Sequence, residues 1–224
     1  METVAAASKW DGWRAAFPQR AVRTTLRELR ASDAAFLGPL FLDPEVHRFA
    51  PGLPNTPTAI QQYIEWAERM HSEGRKVCLA MTLEEQVIGV IHAWPLEPTA
   101  KTVEWGFVLG RAYWGQGLLQ EAAAAFVSTA VQQLGVECLE ARTAVMNARG
   151  VAALTRLGAH PEGVLRQAFG LNEERVDCLM WSILAAEWSS GRSHRYSQYA
   201  IPHLRAVPAE GALADAASQY EPSS

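Results

Sequence analysis

Cysteines and closely spaced histidines are scarce in this chain of 224 residues. Its three cysteines, Cys78, Cys138 and Cys178, lie far apart in apolar stretches and form no C-x-x-C pair. Their odd number argues against a disulfide framework and predicts buried free thiols. The six histidines form no pair at ligand spacing, so the sequence predicts no metal site.

Excess basic charge and long apolar runs are also missing. The formal net charge of -4 argues against a nucleic-acid partner, which would need a basic face. No apolar run approaches the ~20 residues of a membrane span. The start of the chain shows no secretory-signal pattern. We therefore expect a cytoplasmic protein with neither a nucleic-acid nor a membrane partner.

Apolar residues recur at strand or helix spacing over most of the chain, which predicts an α+β fold. Strands are predicted at 21–29, 76–83, 87–94, 102–109, 136–145, 163–170 and 175–184, and helices at 32–42, 58–72, 117–134 and 147–158. The first strand is expected at a sheet edge, and the second and third strands and the last two are expected to form antiparallel hairpins. This order predicts a mostly antiparallel central sheet with helices on both faces.

The length favours one domain over two. We predict an N-terminal extension over 1–20, the domain over 21–188 and a C-terminal tail over 189–224. The tail is rich in Ser, Ala and Pro and shows no sustained periodicity. Tyr196, Tyr199 and Ile201 are the residues through which it would dock on the domain.

A glycine-containing turn, WGQGLLQEA from Trp114 to Ala122, joins an apolar strand to an alanine-rich helix. The helix start lacks the Ser, Thr or Asp that normally accepts hydrogen bonds from the first amides. Gly115 and Gly117 permit backbone conformations that expose these amides, where the helix dipole favours an anion. The motif alone predicts either a tight turn or a site for a ligand phosphate.

Six segments, in order, resemble the GNAT superfamily of acyl-CoA-dependent N-acetyltransferases, and most closely its RimJ/RimL type. They are LRELRASDA, DPEVHRF, VIGVI, VEWGFVLGRAYWGQGLLQEA, LEARTAVMNARGVAALTRLGA and EGVLRQAF, and the resemblance covers roughly Arg23 to Trp188. It implies a GNAT-like fold in which splayed strands hold acetyl-CoA as co-substrate.

The resemblance also implies cofactor-binding residues. The turn would bind the pyrophosphate of CoA, the strand before it would contact the pantetheine, and an amide near Val108 would bind the oxyanion. Asn147 would lie near the pantetheine and could cap its helix as well. The full set is Phe107, Val108, Leu109, Gly115, Gln116, Gly117, Leu118, Leu119, Gln120 and Asn147.

Several positions depart from the family pattern. Ala112 stands where many members have Gln or Arg, although Arg111 is adjacent, and Ala159 replaces the usual aromatic residue. Gly150 occupies the RimL-type serine position, and Leu154 occupies the place of a tyrosine general acid. The general acid is therefore unassigned. Tyr113 is interpreted as an aromatic wedge beside Trp114 rather than as the donor.

Glu104 is the only acid on the strand 102–109 and shares a face with Gly106 and Val108. It is the candidate catalytic base, and its alternative role is a structural ion pair. We expect acetyl transfer from acetyl-CoA to a primary amine by direct attack in a ternary complex. The alternatives are a non-catalytic acyl-CoA-binding module and a protein-binding scaffold.

The acceptor would be a protein N-terminus, an aminoglycoside or polyamine, or an amino-acid-like metabolite. Its pocket would be formed by the segment 41–57, the helix that contains Tyr63 and the closing hairpin, which are variable parts of the fold. The sequence leaves the oligomeric state, including a homodimer, open.

Overall fold

The computed structural model describes residues 11–50, 52–171 and 174–190. One sheet of eight strands in the order β1-β2-β3-β4-β5-β6-β8-β7 organises them. The strands are β1 Gln19–Arg20, β2 Thr24–Glu28, β3 Val77–Leu83, β4 Gln86–Pro95, β5 Thr102–Leu109, β6 Cys138–Ala144, β7 His160–Leu171 and β8 Glu174–Leu184. The helices are α1 Asp11–Ala15, α2 Ala34–Phe41, α3 Pro44–His47, α4 Pro57–Ser72, α5 Leu118–Gln132, α6 Ala148–Leu157 and α7 Ala185–Ser189.

The sheet is antiparallel except between β5 and β6, which pair in parallel. Parallel neighbours need a crossover, and α5 provides it. The pairing covers only three residue pairs, from Thr102 opposite Cys138 to Glu104 opposite Glu140. Beyond them β5 stays paired with β4 and β6 with β8, so a gap opens between the two strands. The mixed, mostly antiparallel sheet and its splayed strands confirm the predicted fold class.

The alternation of β5 divides the interior into two cores, one on each face of the sheet. Trp105 and its odd-numbered neighbours join α1, α5 and α6, and Trp105 stacks on Phe126 at a centroid distance of 5.5 Å. Val108 faces the opposite side and packs with the residues of α2 and α4. Helices therefore cover both faces, as the sequence pattern predicts.

The N-terminal segment differs from the predicted extension. Trp13 of α1 is 1% exposed, and its ring lies 5.7 Å from that of Phe126. Phe17 is buried beside it. The two-residue strand β1 pairs outside β2, so β2 is not the sheet edge that the sequence predicts. Aromatic residues of the predicted extension therefore pack in the core around α5.

The segment 43–57, between two predicted helices and itself predicted to hold none, contains the four-residue helix α3. Asp43 caps it by accepting a hydrogen bond from the Glu45 amide at 2.9 Å, and Pro44 occupies its first turn. Residues 172–173, within the connection between the last two predicted strands, and the tail from residue 191, with Tyr196, Tyr199 and Ile201, lie outside the described residues.

The three cysteines are free, and Cys78 and Cys178 are buried as expected, whereas Cys138 is partly exposed. Within 11–50, 52–171 and 174–190, no group of His, Cys, Asp and Glu is arranged to hold a metal ion. No helix in those ranges has the length and apolar character needed to cross a membrane.

Candidate active site

A cleft of about 340 Å³ occupies the gap between β5 and β6. One wall is formed by β5 from Trp105 to Leu109, and the other by β6 and α6. The glycine turn and the first turn of α5 close one end, and the segment 45–50 closes another. The fold therefore brings together the strand, the turn and the helix start that the sequence singles out.

The glycine turn has the left-handed backbone conformation that its two glycines permit. Gly115 and Gly117 have φ values of +74° and +77°, in the left-handed region that side chains disfavour. Gly117 is the N-cap of α5, and no side chain in the described part of the chain accepts a hydrogen bond at this cap. The first amides of α5 are thus available to a ligand, and the helix dipole favours an anionic one.

Most of the predicted cofactor-binding residues line this cleft. Those present are Phe107, Val108, Leu109, Gly115, Gly117, Leu118, Leu119, Gln120 and Asn147. Gln116 is not among the lining residues. Its backbone carbonyl accepts a hydrogen bond from Arg23 Nη2 at 2.8 Å, and its own side chain bonds to the carbonyl of Ala112.

The register of β5 decides which backbone groups face the gap. The Gly110 amide donates to the Ile88 carbonyl, so the even-numbered residues of β5 direct their backbone groups to β4. The odd-numbered residues, including Phe107 and Leu109, direct theirs into the gap. The Val108 amide points to β4, so the neighbouring amide that faces the gap is that of Leu109.

Trp114 closes the end of β5. Its indole Nε1 donates to the Leu109 carbonyl at 2.8 Å, and the Arg149 guanidinium lies 4.2 Å from the Trp114 ring centroid. Tyr113 packs half-buried against the core and also lines the cleft. The aromatic pair thus forms the predicted wedge.

Helix α6 contains two of the positions that depart from the family pattern, Gly150 and Leu154. Asn147 Oδ1 accepts a hydrogen bond from the Gly150 amide at 2.9 Å, so Asn147 is the predicted N-cap. A Cβ at Gly150 would lie 2.7 Å from Asn147 Nδ2, so a serine there would require the Asn147 side chain to shift. Leu154 is 1% exposed and contributes to the core. Neither position offers a hydroxyl group to the cleft.

The segment from α3 to Ala50 spans the cleft, and the sequence does not predict its contacts. Asp43 Oδ1 lies 3.9 Å from Arg111 Nη1, and Glu45 Oε2 lies 3.8 Å from Arg149 Nη1. Val46, Phe49 and Ala50 supply an apolar wall. The Asp-Pro-Glu sequence at 43–45, a cap followed by proline, was the available signal for the helix. Of the three parts of the predicted acceptor pocket, this segment lines the cleft. Tyr63 and the closing hairpin do not line it.

Glu104 lies where β5 and β6 still pair, at the closed end of the gap. It is 6% exposed, and its Oε1 lies 3.5 Å from Arg142 Nε. Arg142 lines the cleft, whereas Glu104 does not. The cleft therefore reaches the Arg142 side chain, which pairs with Glu104, but not the carboxylate itself.

A buried polar cluster continues on the same face of β4. His92 and Trp94 lie opposite Gly106 and Glu104, and their rings are 5.6 Å apart. Lys76 Nζ lies 4.7 Å from the Trp94 centroid. Burial, and secondly the charge of Lys76, lowers the pKa of His92 to about 4. His92 is therefore neutral at physiological pH.

Comparison with known proteins decides what kind of cleft this is. The family model described as "Acetyltransferase (GNAT) domain" matches residues 23–160. This chain belongs to the GNAT acetyltransferase family. The family's reaction is acyl-CoA-dependent acetyl transfer. Splayed strands beside a helix without an N-cap side chain are features of the GNAT fold.

Relatives of this GNAT acetyltransferase include proteins named for ribosomal substrates. "Uncharacterized N-acetyltransferase p20" of Bacillus licheniformis is 26% identical over 170 residues, 75% of this chain and 96% of that protein. The "Ribosomal-protein-serine acetyltransferase" of Escherichia coli (strain K12) is 28% identical over 113 residues, 50% of this chain and 63% of that protein. The structure titled "Mycobacterium smegmatis RimJ in complex with CoA-disulfide" has the same fold, with a TM-score of 0.67 at 18% identity over 79% of this chain and 97% of that one.

Proposed function

We propose that this GNAT protein transfers an acetyl group from acetyl-CoA to a primary amine by direct attack within a ternary complex. The observation that carries the proposal is the position of the uncapped glycine turn at the mouth of the β5–β6 gap. An anionic group at the turn would place an extended thioester arm alongside the outward backbone of β5. Within the described residues, this is the place in the cleft where the free amides of a helix start lie beside strand backbone that no neighbouring strand pairs with.

The residues of the cleft have separate tasks in this proposal. The amides of Gly117, Leu118 and Leu119 would bind the pyrophosphate. The Leu109 amide, which points into the gap, would stabilise the oxyanion of the tetrahedral intermediate. Asn147 holds the start of α6 against the arm while it caps that helix.

The acceptor amine must be neutral to attack the thioester. A lysine-like amine has a pKa near ~10.4 and an α-amine a pKa near ~8, so an α-amine needs less help to lose its proton. We propose that Glu104 assists through a water beside Arg142, because the carboxylate does not itself line the cleft. The leaving thiol has a pKa near ~8.5 if it resembles cysteine, so its departure needs no strong acid.

The segment 43–50 is proposed to select the acceptor, since it supplies side chains that close one end of the cleft. Its apolar wall and Glu45 suit an amine carried on a small or apolar group. The name of the Escherichia coli relative, a ribosomal-protein acetyltransferase, adds support for a protein as the acceptor. Cytoplasmic location remains a prediction from the sequence.

Release of the CoA thiol, followed with a panel of amines, tests the reaction. The panel contains N-terminal peptides, polyamines, an aminoglycoside and amino acids, and mass spectrometry identifies the acetylated product. We expect amine-dependent thiol release with one acetyl group added per turnover. Binding of CoA without release would indicate the non-catalytic module, and no CoA binding would leave only the scaffold.

Glu104→Gln tests the proposed base, because it keeps the side-chain shape and removes the basicity. We expect turnover to fall by ~10²-fold, with acetyl-CoA affinity little changed, and the loss to shrink at high pH where more amine is neutral. If the main role of Glu104 is its ion pair with Arg142, the substitution should affect stability and not turnover. Full turnover at neutral pH together with a lower melting temperature would make Glu104 a structural partner of Arg142.

A further inference from the structure

Arg23, in the loop between β1 and β2, contacts the glycine turn from the side away from the cleft. Its Nη2 donates to the Gln116 carbonyl at 2.8 Å, and its Nε donates to Glu121 Oε1 at 2.7 Å. Its backbone amide donates to Glu121 Oε2 at 3.0 Å. One residue from the edge of the sheet thus bonds both the turn and the first turn of α5, although Arg23 does not line the cleft.

The bond to the Gln116 carbonyl fixes the orientation of the Gln116–Gly117 peptide. This peptide is trans, so its N–H points opposite to its carbonyl. With the carbonyl held toward Arg23, the Gly117 amide is directed away from Arg23. Gly117 lines the cleft and Gln116 does not. Because glycine accepts either sign of φ, this peptide could rotate at little cost without such a contact.

Glu121 adds an electrostatic reason for the same contact. It places a carboxylate in the first turn of the helix that would bind the pyrophosphate. Hydrogen bonds from Arg23 lower the pKa of Glu121, so it is ionised at neutral pH. The paired guanidinium offsets that negative charge close to the anion site.

We propose that Arg23 is a positioning residue that presents the Gly117 amide to the CoA pyrophosphate. The inference rests on the proposed function for its ligand, but the peptide orientation is a property of the ligand-free protein. Arg23 acts through the turn and touches neither the substrate nor the reacting atoms. Lys cannot reproduce it, because one ammonium cannot span Gln116 and Glu121 as the planar guanidinium does.

Calorimetry with CoA tests the inference in Arg23→Ala and in the double variant Arg23→Ala/Glu121→Ala. We expect Kd to rise about tenfold in both, because the binding-competent turn is no longer the dominant conformer. The KM for acetyl-CoA should rise with it while kcat changes little. Arg14→Ala is the matched control, since it removes another exposed ion pair, Arg14 with Glu28 at 3.4 Å. It should bind CoA like the unmodified protein.

The double variant separates the two effects of Arg23. Recovery of the original Kd when Glu121 is also removed would mean that Arg23 only offsets a charge, and would overturn the positioning role. Turnover of S-acetyl-pantetheine, which has no pyrophosphate, should be equal in Arg23→Ala and the unmodified protein. An equal fall with both thioesters would also contradict the inference, because the defect would be general.

Nuclear magnetic resonance of the ligand-free protein distinguishes this inference from the proposed function. The Gly117 amide signal should shift or broaden in Arg23→Ala, with changes confined to the turn and the start of α5. An unchanged Gly117 signal would overturn the positioning role whatever the protein binds. Failure of the unmodified protein to bind CoA, with the Gly117 signal still altered by the substitution, would instead count against the proposed function alone.

Discussion

Gly150 and Asn147 show at the residue scale how closely a helix cap and its hydrogen-bond donor are packed at the start of α6. A side chain at position 150 would meet Asn147 Nδ2 at 2.7 Å, and that amide group belongs to the cap of α6. Leu154, one turn further along, is buried in the core. The sequence alone shows that both hydroxyl groups are missing, and the geometry adds that a serine at position 150 would have to displace the Asn147 side chain.

Glu104 illustrates the limit of residue-scale prediction. Its place on the strand and its face follow from the alternation of 102–109, and both agree with the structure. Its pairing with Arg142 depends on the parallel register with β6, which no local pattern encodes. A candidate base and a buried ion-pair partner therefore have the same sequence signature.

His92 should make stability depend on pH in the acid range. Burial lowers its pKa from 6.5 to about 4, so between these values the unfolded chain binds more protons than the folded one. The free energy of unfolding therefore decreases, through His92, as the pH falls from 6.5 toward 4. At ~1.4 kcal/mol per pKa unit, the loss is about 3 kcal/mol.

Urea unfolding of His92→Leu and the unmodified protein at several pH values measures this effect. The difference in unfolding free energy between the two proteins should change by that amount from pH 7 to pH 4, while the carboxylates common to both cancel. A constant difference across this range would show that His92 titrates normally in the folded state, despite its burial beside Lys76.

At the element scale, the helix N-termini show what the sequence can and cannot predict. Strand β5 and the body of α5 are predicted well, because long periodic segments report their own structure. Helix α3 is missed because four residues cannot show a period. The empty cap of α5 is visible in the sequence as an absent Ser, Thr or Asp, and this was the strongest single indication of a ligand.

The caps of α6 and α4 form a matched pair for testing the role of Asn147. Asn147 Oδ1 accepts from the Gly150 amide at 2.9 Å, and Thr56 Oγ1 accepts from the Ala59 amide at 3.1 Å. Loss of either cap should cost about 1 kcal/mol of stability. Only the cap of α6 lines the cleft.

We therefore expect Asn147→Ala and Thr56→Ala to lower the melting temperature similarly, but only Asn147→Ala to weaken CoA binding. Thermal unfolding and calorimetry on the same samples compare the two. Equal CoA affinity in both variants would limit Asn147 to its capping role and remove it from the cofactor-binding set.

At the scale of the whole molecule, the gap between β5 and β6 exists because a parallel pair is interrupted after three residue pairs. Such pairing joins segments far apart in sequence, so the gap followed from the family resemblance and not from local patterns. The packing of the N-terminal segment was not predicted, for the same reason. Trp13 and Phe17 pack in a core that is formed by later parts of the chain.

Truncation at the two ends should have opposite effects. Removal of residues 1–18 takes Trp13 and Phe17 from the core, and each buried aromatic truncated to Ala typically costs about 3–5 kcal/mol, so we expect unfolding or aggregation. Removal of residues after Ser190 keeps Trp188, which donates to Ser128 at 3.1 Å, and should leave turnover within a few-fold. A large loss of turnover in a well-folded C-terminal truncation would place a residue of that tail in the active site.

Binding of CoA at the glycine turn is the central claim, and calorimetry of Gly115→Val beside Gly135→Val tests it most directly. Gly115 and Gly135 have φ values of +74° and +69°, and a Cβ on either meets nothing within 4 Å. Both substitutions therefore introduce similar backbone strain, but only Gly115 lines the cleft. Gly117 is less suitable because its Cβ would approach Arg23 Nη2 at 3.5 Å.

The unmodified protein and Gly135→Val should bind CoA alike, and Gly115→Val should bind at least about tenfold more weakly, because its amides no longer fit the pyrophosphate. Equal CoA affinity in the two valine variants, with both folded, would contradict the assignment of the turn as the pyrophosphate site.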